Sequence, residues 1–244
     1  MAKKDKPPSA ENVNGKNVIE ALTKISEAVT SDLYLEDILK LIVSVTAEVM
    51  GSKICSLLLI NKNGELEVKA TQSISEAYNK KANIKLGDGL AGKVAQGGKP
   101  ITVLDVREDG RFLNREIAKK EKLCSLLCVP LTVKGRIIGV LNSYTSTPHP
   151  FSKSEINILR SIANQAAIVI ENFRLVIESK VIREELESRK MIERAKGILM
   201  KQEGLSEQDA YERIRKYSMD SRKSMREISE AIIVSAEMRN QCVG

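Results

Sequence analysis

Apolar residues recur at helical spacing from Val18 to about Val49: Ile19, Leu22, Ile25 and Val29, then Leu35, Ile38, Leu39, Ile42, Val45 and Val49. This repeat predicts two amphipathic helices. Asp32, or Ser31 beside it, is placed to cap the second, and Met50-Gly51-Ser52 ends it. Strand-like runs follow. Residues 53–60 and 66–70 flank Asn61-Lys62-Asn63-Gly64, which reads as a hairpin turn. Ile84-Lys85-Leu86 leads into Gly87-Asp88-Gly89, a backbone break that starts a short helix over 90–95. Gly97-Gly98-Lys99-Pro100 closes that helix, and residues 101–104 read as another strand. The nearly unbroken apolar run 124–132 predicts a central strand, which Lys134-Gly135 turns into a further one over 137–144.

After a loop over 145–151 with two prolines, Ser152 and Glu155 form a capping box ahead of an apolar run. Helical periodicity then continues to about Lys201, close to 50 residues, or roughly 70 Å at 1.5 Å per residue. A helix of that length must leave one domain and continue as a connector. Leu175, Ser179, Ile182, Leu186 and Arg189 alternate by four and three, a short heptad-like stripe. It is read as a dimer seam, against the alternative of a helix packed only within its own chain. Gly204 stops the helix. Ser206 with Asp209 and Ser224 with Glu227 then cap two more, ending near Met219 and Met238. The expected fold class is an α+β sensor domain, an antiparallel sheet with helices, joined by a long helix to a small all-α three-helix domain.

Composition narrows the function classes. The net charge of +7 permits nucleic acid or an anionic surface as partner without demanding either. Residues 1–16 are Lys-rich, with Pro7-Pro8, and read as a disordered tail. No apolar run reaches the roughly 18 to 20 residues that span a bilayer, and Cys55, Cys124, Cys128 and Cys242 show no C-x-x-C spacing. A cytoplasmic protein without membrane contact is expected. Cys124 and Cys128, four apart on an extended strand, would share a face at roughly 13 Å, too far for a disulfide. They read as small buried residues rather than a thiol sensor. His149, the sole histidine, reads as a solvated loop residue. No metal-ligand cluster and no catalytic constellation is found. Gly87-x-Gly89-x-x-Gly92 matches a dinucleotide fingerprint but lacks the βαβ context.

Several segments in order carry a family resemblance: Leu86-Gly87-Asp88-Gly89-Leu90-Ala91-Gly92-Lys93-Val94-Ala95, Gly98-Lys99-Pro100-Ile101, Asp105-Val106 with Asp109-Gly110-Arg111-Phe112, Ser125-Leu126-Leu127-Cys128-Val129-Pro130-Leu131, Gly135-Arg136-Ile137-Ile138-Gly139-Val140-Leu141, and Phe151-Ser152 before a helix holding Ala163-Asn164-Gln165-Ala166-Ala167. They resemble a GAF domain, set at residues 17–174, with residues 175–185 as a helical, coiled-coil connector. The resemblance implies a central antiparallel sheet, helices on one face and a ligand pocket on the other. No Asn-Lys-x-Asp motif is present, so a cyclic nucleotide is not expected; neither is haem or bilin. No cofactor is identified beyond an unknown small-molecule ligand.

Arg189, Ile192, Ala195-Lys196-Gly197-Ile198-Leu199-Met200, Gly204, Ala210-Tyr211, Ile214-Arg215, Ser218-Met219, Arg222 and Ile228 resemble an ANTAR domain, set at residues 186–240. That family is the RNA-binding module of bacterial antitermination regulators. Gly197 in mid-helix costs roughly 1 kcal/mol against Ala, which points either to an internal packing notch or to close approach of a nucleic-acid backbone. Residues 213–226 hold six basic side chains (Arg213, Arg215, Lys216, Arg222, Lys223, Arg226) against one acid, Asp220. With Arg189, Lys196 and Lys201 they form the candidate RNA-binding set. Tyr217 is a candidate for base stacking; Tyr211, following Ala210, is expected in the core. The resulting expectation is a non-enzymatic, homodimeric regulator that senses a signal and binds stem-loops in leader transcripts. A DNA-binding regulator and a protein-interacting adaptor are the alternatives.

Overall fold

The hairpin over residues 61–64 sits near the middle of the sheet. The computed structural model describes residues 15–27, 34–72 and 82–241; Ser31, Asp32, Cys242 and most of the expected tail over 1–16 lie outside them, but Gly15 and Lys16 of that tail begin a helix, and the second helix is capped at Tyr34, without a side-chain cap, rather than at Asp32 or Ser31. β1 (Ile54–Ile60) pairs with β2 (Glu65–Thr71) on one side and β6 (Arg136–Tyr144) on the other. β3 (Ile84–Lys85) extends β2, while β5 (Leu126–Val133) and then β4 (Ile101–Val103) extend β6. The six-stranded sheet has the order β3-β2-β1-β6-β5-β4, with every neighbour antiparallel. The run expected to be central is therefore β5, one place from the edge. β4 covers only Leu126 to Cys128, so Pro130 lies where β5 has no outer partner, a place that tolerates a residue without an N–H.

Alternate side chains of the strands feed two cores. On one face α1 (Gly15–Glu27), α2 (Leu35–Met50) and the start of α5 (Lys153–Glu203) bury Ile25, Ile42, Leu57, Leu141, Leu159, Ile162 and Ala166 together. On the other, α3 (Gly89–Gly97) and the segment before β5 bury Leu58, Leu90, Val94, Val106, Leu126 and Val140. Gly139 sits between strands where a Cβ would overlap the Leu58 carbonyl oxygen, so only glycine lets β1 and β6 pair there.

Local departures from the sequence reading have identifiable causes. A short helix, α4 (Arg115–Lys120), buries only Ala118 and is too short for a helical repeat to register. Lys53 Nζ donates to the Glu121 and Lys122 carbonyls at 2.5 and 3.4 Å just beyond its end. Cys124 precedes β5 rather than lying on it, so it and Cys128 do not share a strand face. Its Sγ is 3.6 Å from the Leu104 carbonyl and 3.4 Å from Arg107 Nη2. Burial pushes the Cys55 thiol up to about 12 and raises Cys128, and burial with the nearby Asp105 charge raises Cys124. Thiols kept protonated in this way are poor nucleophiles.

His149 is not a solvated loop residue. Glu155 Oε2 accepts from the Ser152 N–H and hydroxyl at 2.8 and 2.7 Å, which leaves Oε1 to meet His149 Nε2 at 2.7 Å. The ring also stands edge-on to Phe151 at 4.9 Å, and the His149 N–H donates to Ser125 Oγ at 2.7 Å. The capping box thus ties the loop to the start of α5.

The described residues fall into two compact units divided between Phe173 and Arg174, and α5 runs through the division as one 51-residue helix. In the second unit the end of α5 packs with α6 (Glu207–Ser221) and α7 (Met225–Gln241) around Ala195, Leu199, Ala210, Ile214 and Ile233. Ser206 Oγ accepts from the Asp209 N–H at 3.1 Å, and Ser224 Oγ from the Glu227 N–H at 3.2 Å, so both expected caps form.

Burial raises the pKa of Glu155, but the Ser152 hydrogen bonds and His149 outweigh it and hold the carboxyl below its ordinary 4.5. A carboxyl lowered in the folded state stabilises above its unfolded pKa, and that stability is lost as pH falls through the folded value. Thermal unfolding followed below pH 4.5 should show this acid limb. Glu155→Gln should cost about 1 kcal/mol at neutral pH and flatten the limb. The same acid limb in both proteins would remove Glu155 from this role.

Candidate nucleic-acid interface

The basic residues of the second unit divide by whether a carboxylate already holds them. Lys196 is buried beneath the α5–α6 joint, its ammonium 3.0 Å from Glu193 and 2.7 Å from Glu207. Glu207 and then Glu193 raise its pKa. Arg213 pairs with Glu203, Arg226 with Glu187 at 3.6 Å, and Arg194 with Glu237 at 2.7 Å. These pairs cross the helix seams of a unit whose apolar core is small. Among the described residues, Arg189, Lys201, Arg215, Lys216, Arg222 and Lys223 are exposed and form no ion pair. Of the nine candidates, the fold engages Lys196, Arg213 and Arg226 and leaves those six for solvent or a partner.

The tyrosines fall outside the core. Ala210 and Ile214 take the fully buried positions of α6, and Tyr211, one residue or about 100° further round the helix, is 40% exposed. The expectation that Tyr211 is core is therefore overturned. It lines a shallow groove with Arg189 and Ile192, and Arg215 follows four residues on, along the same helix face. Tyr217 is 59% exposed.

Two backbone features stand out. Gly197 is exposed on α5, and a Cβ built there meets nothing within 4 Å. An internal packing notch among the described residues is thus excluded. Arg222 caps α6 in the left-handed region, φ 55°, a conformation that favours glycine. Its side chain is presented at the α6–α7 joint beside Lys223. The surface can neutralise phosphates, hydrogen-bond base edges and offer two ring faces for stacking. Among the described residues no His/Cys/Asp/Glu group has the geometry to hold a metal, and no helix is long and apolar enough to cross a membrane.

A further surface lies on α5 itself. Leu175, Val176, Ile177, Val181, Ile182 and Leu186 are all exposed.

Comparison with known proteins gives these features a context. The family model described as the GAF domain matches residues 33–171, and that described as the ANTAR domain matches residues 180–233. The chain is 31% identical over 157 residues to the transcriptional regulatory protein PdtaR of Mycobacterium tuberculosis, covering 60% of this chain and 74% of that protein. It is 26% identical over 159 residues to the Nif-specific regulatory protein of Herbaspirillum seropedicae, covering 63% of this chain but only 29% of the larger protein. The GAF domain from a phosphoenolpyruvate-protein phosphotransferase (ptsP) of Coxiella burnetii matches with a TM-score of 0.59 at 26% identity, over 68% of this chain and 98% of that one. With both modules matched in this order over most of its length, the chain belongs to the GAF–ANTAR regulator family.

Proposed function

We infer that this protein is a signal-responsive antitermination regulator, acting by binding rather than by chemistry. The ANTAR domain holds hairpin loops of a nascent leader RNA, and a small ligand or other signal at the GAF domain controls that binding. The observation that carries this reading is Gly197. A glycine that weakens a helix, with nothing among the described residues packed on it, leaves room there for another molecule's backbone to come close. Arg189, Lys201, Arg215, Lys216, Arg222 and Lys223 surround the same three-helix unit and supply the phosphate contacts. Lys196, Arg213 and Arg226 contribute by holding the helices in place. Holding a paired-hairpin structure would prevent a competing terminator from forming. The working boundaries are residues 17–174 for the sensor, 175–185 for the connector and 186–240 for the RNA-binding domain.

The exposed aliphatic side chains of α5 support a homodimer. Ile168, Leu175 and Ile182 recur every seven residues and are exposed, and such a stripe is buried when two copies pair. Two copies would present two RNA-binding units to two loops. Such a protein would work in the cytoplasm, where nascent transcripts are made.

A gel-shift titration of the full chain with RNA carrying two adjacent hexaloop hairpins tests the function, with a loop-scrambled RNA and duplex DNA as controls. Preference for the intact loops is expected, weakening as salt rises; equal binding to all three probes would defeat the reading. Gly197→Ala should stabilise the helix by about 1 kcal/mol while weakening hairpin binding on the order of tenfold, or about 1.4 kcal/mol. Arg222→Gly should likewise relieve about 1 kcal/mol of left-handed strain and lose hairpin affinity. Unchanged affinity in both variants would remove these residues from the interface. Leu175→Glu combined with Ile182→Glu should convert a dimer to a monomer in sedimentation and weaken binding to two hairpins more than to one.

A further inference from the structure

The groove beside Tyr211 is lined by more carboxylates than cations. It lies within the second unit, between α5 and α6, and encloses about 550 Å³ open to solvent. Glu184, Glu185, Arg189 and Ile192 line it from α5, and Tyr211 from α6. Glu185, Arg189 and Ile192 are spaced by four and then three residues, so they succeed one another along one side of the helix. Ile192 is half-buried and Tyr211 is 40% exposed, so an aliphatic and an aromatic surface face the groove. Glu184 and Glu185 are exposed and form no ion pair among the described residues. Glu193, also at the groove, is held by Lys196 at 3.0 Å.

Carboxylates are out of place on a surface that meets RNA only through phosphates, because like charges repel. An acceptor-only group gains there from hydrogen-bond donors, and in a single-stranded loop these are carried by the edges of unstacked bases. The four bases differ in what they offer. The Watson–Crick edge of guanine presents two donors side by side, its ring N–H and its amino group, which match the two oxygens of one carboxylate. Adenine and cytosine present one amino donor beside an acceptor, and uracil one N–H between two carbonyls. An unpaired carboxylate therefore selects guanine, and the aromatic ring beside it supplies a stacking surface that serves any unstacked base.

We propose that this groove reads one unstacked guanine in the hairpin loop. The proposal rests on the RNA-binding role given to the ANTAR domain. The base lies against the ring of Tyr211. Its ring N–H and amino group donate to one groove carboxylate, that of Glu184 or Glu185. Arg189 and Arg215, the latter one turn beyond Tyr211, take the flanking phosphates, so the backbone stays at the rim and away from the carboxylates. Phosphate contacts fix the position of the loop, and the carboxylate supplies base identity.

The test uses the full chain and the two-hairpin RNA, with each loop base replaced in turn by the other three and each loop guanine by inosine, which lacks the amino group. At one loop position guanine should bind at least tenfold tighter than any other base, and inosine there should lose about tenfold. Glutamine offers one acceptor and one donor group, the complement of the adenine edge. Either Glu184→Gln or Glu185→Gln should therefore move the preference at that position from guanine to adenine, which no general loss of charge or of fold would do. Tyr211→Phe, which keeps the ring, should bind as the native chain does, and Tyr211→Ala should lose about tenfold or more, with melting temperatures to show that both fold. If Tyr211→Ala does not fold, the base series and the two glutamine variants decide alone. Three results would each overturn the proposal while leaving hairpin binding in place: no loop position selective for guanine, a guanine preference unchanged in both glutamine variants, or full affinity in Tyr211→Ala. Any of them would assign the groove to another occupant. No preference for hairpin RNA in the native chain would remove the RNA-binding reading and this proposal together.

Discussion

One helix has to belong to two cores. Along α5, Leu159, Ile162, Ala163, Ala166, Ala167 and Ile170 are buried in the GAF sheet, and Ala195 and Leu199 in the three-helix unit. Isolated helices are marginal in water, and most of their stability comes from packing an apolar face. Here that packing is supplied at both ends and not along the stretch between, where Leu175, Val176, Ile177, Val181, Ile182 and Leu186 are exposed. The capping box at Ser152, braced by His149, starts the shared helix, and Gly204 follows its end with φ 66°.

The second unit shows how a small domain divides its charges. Its apolar cluster rests on a few aliphatic side chains, which limits what hydrophobic burial alone can supply. Ion pairs at the α5–α6 and α5–α7 seams add orientation: Lys196 with Glu207, Arg213 with Glu203, Arg194 with Glu237. Lys196 is the most deeply placed of these cations, and burying it is tolerated because two carboxylates meet its ammonium. Cations committed in this way are less free to meet a phosphate. The unpaired candidates are fewer than the count of basic residues implied: Arg189 and Lys201 on α5 and four residues within 215–223.

Much of the architecture was legible along the chain because its signals are local. The two-residue period of the strands, the glycine-bearing turns, the Ser-x-x-Glu box and the long three-four repeat each act over a few neighbours, and their elements stand where the pattern put them. The elements that escaped, α4 and β3, are six and two residues long, below the length at which any period can be counted. The placement of β5 one strand from the edge follows from the order in which the strands pair, which no local pattern announces.

The sequence by itself determined the order of the longer elements, the caps at Ser152, Ser206 and Ser224, the continuity of α5 and, through the motifs around Gly89, Gly139 and Gly197, membership of the family. All of these follow from backbone conformation and from side chains close in sequence. Only the tertiary structure decided which charges are neutralised, that Tyr211 faces solvent while Lys196 does not, and that His149 meets Glu155. It also decided that nothing in the described chain packs on Gly197. Each of these depends on how far a side chain is rotated about its helix and on which distant carboxylate or carbonyl lies within hydrogen-bond reach. Such distances are set by packing between elements, and composition and spacing do not contain them.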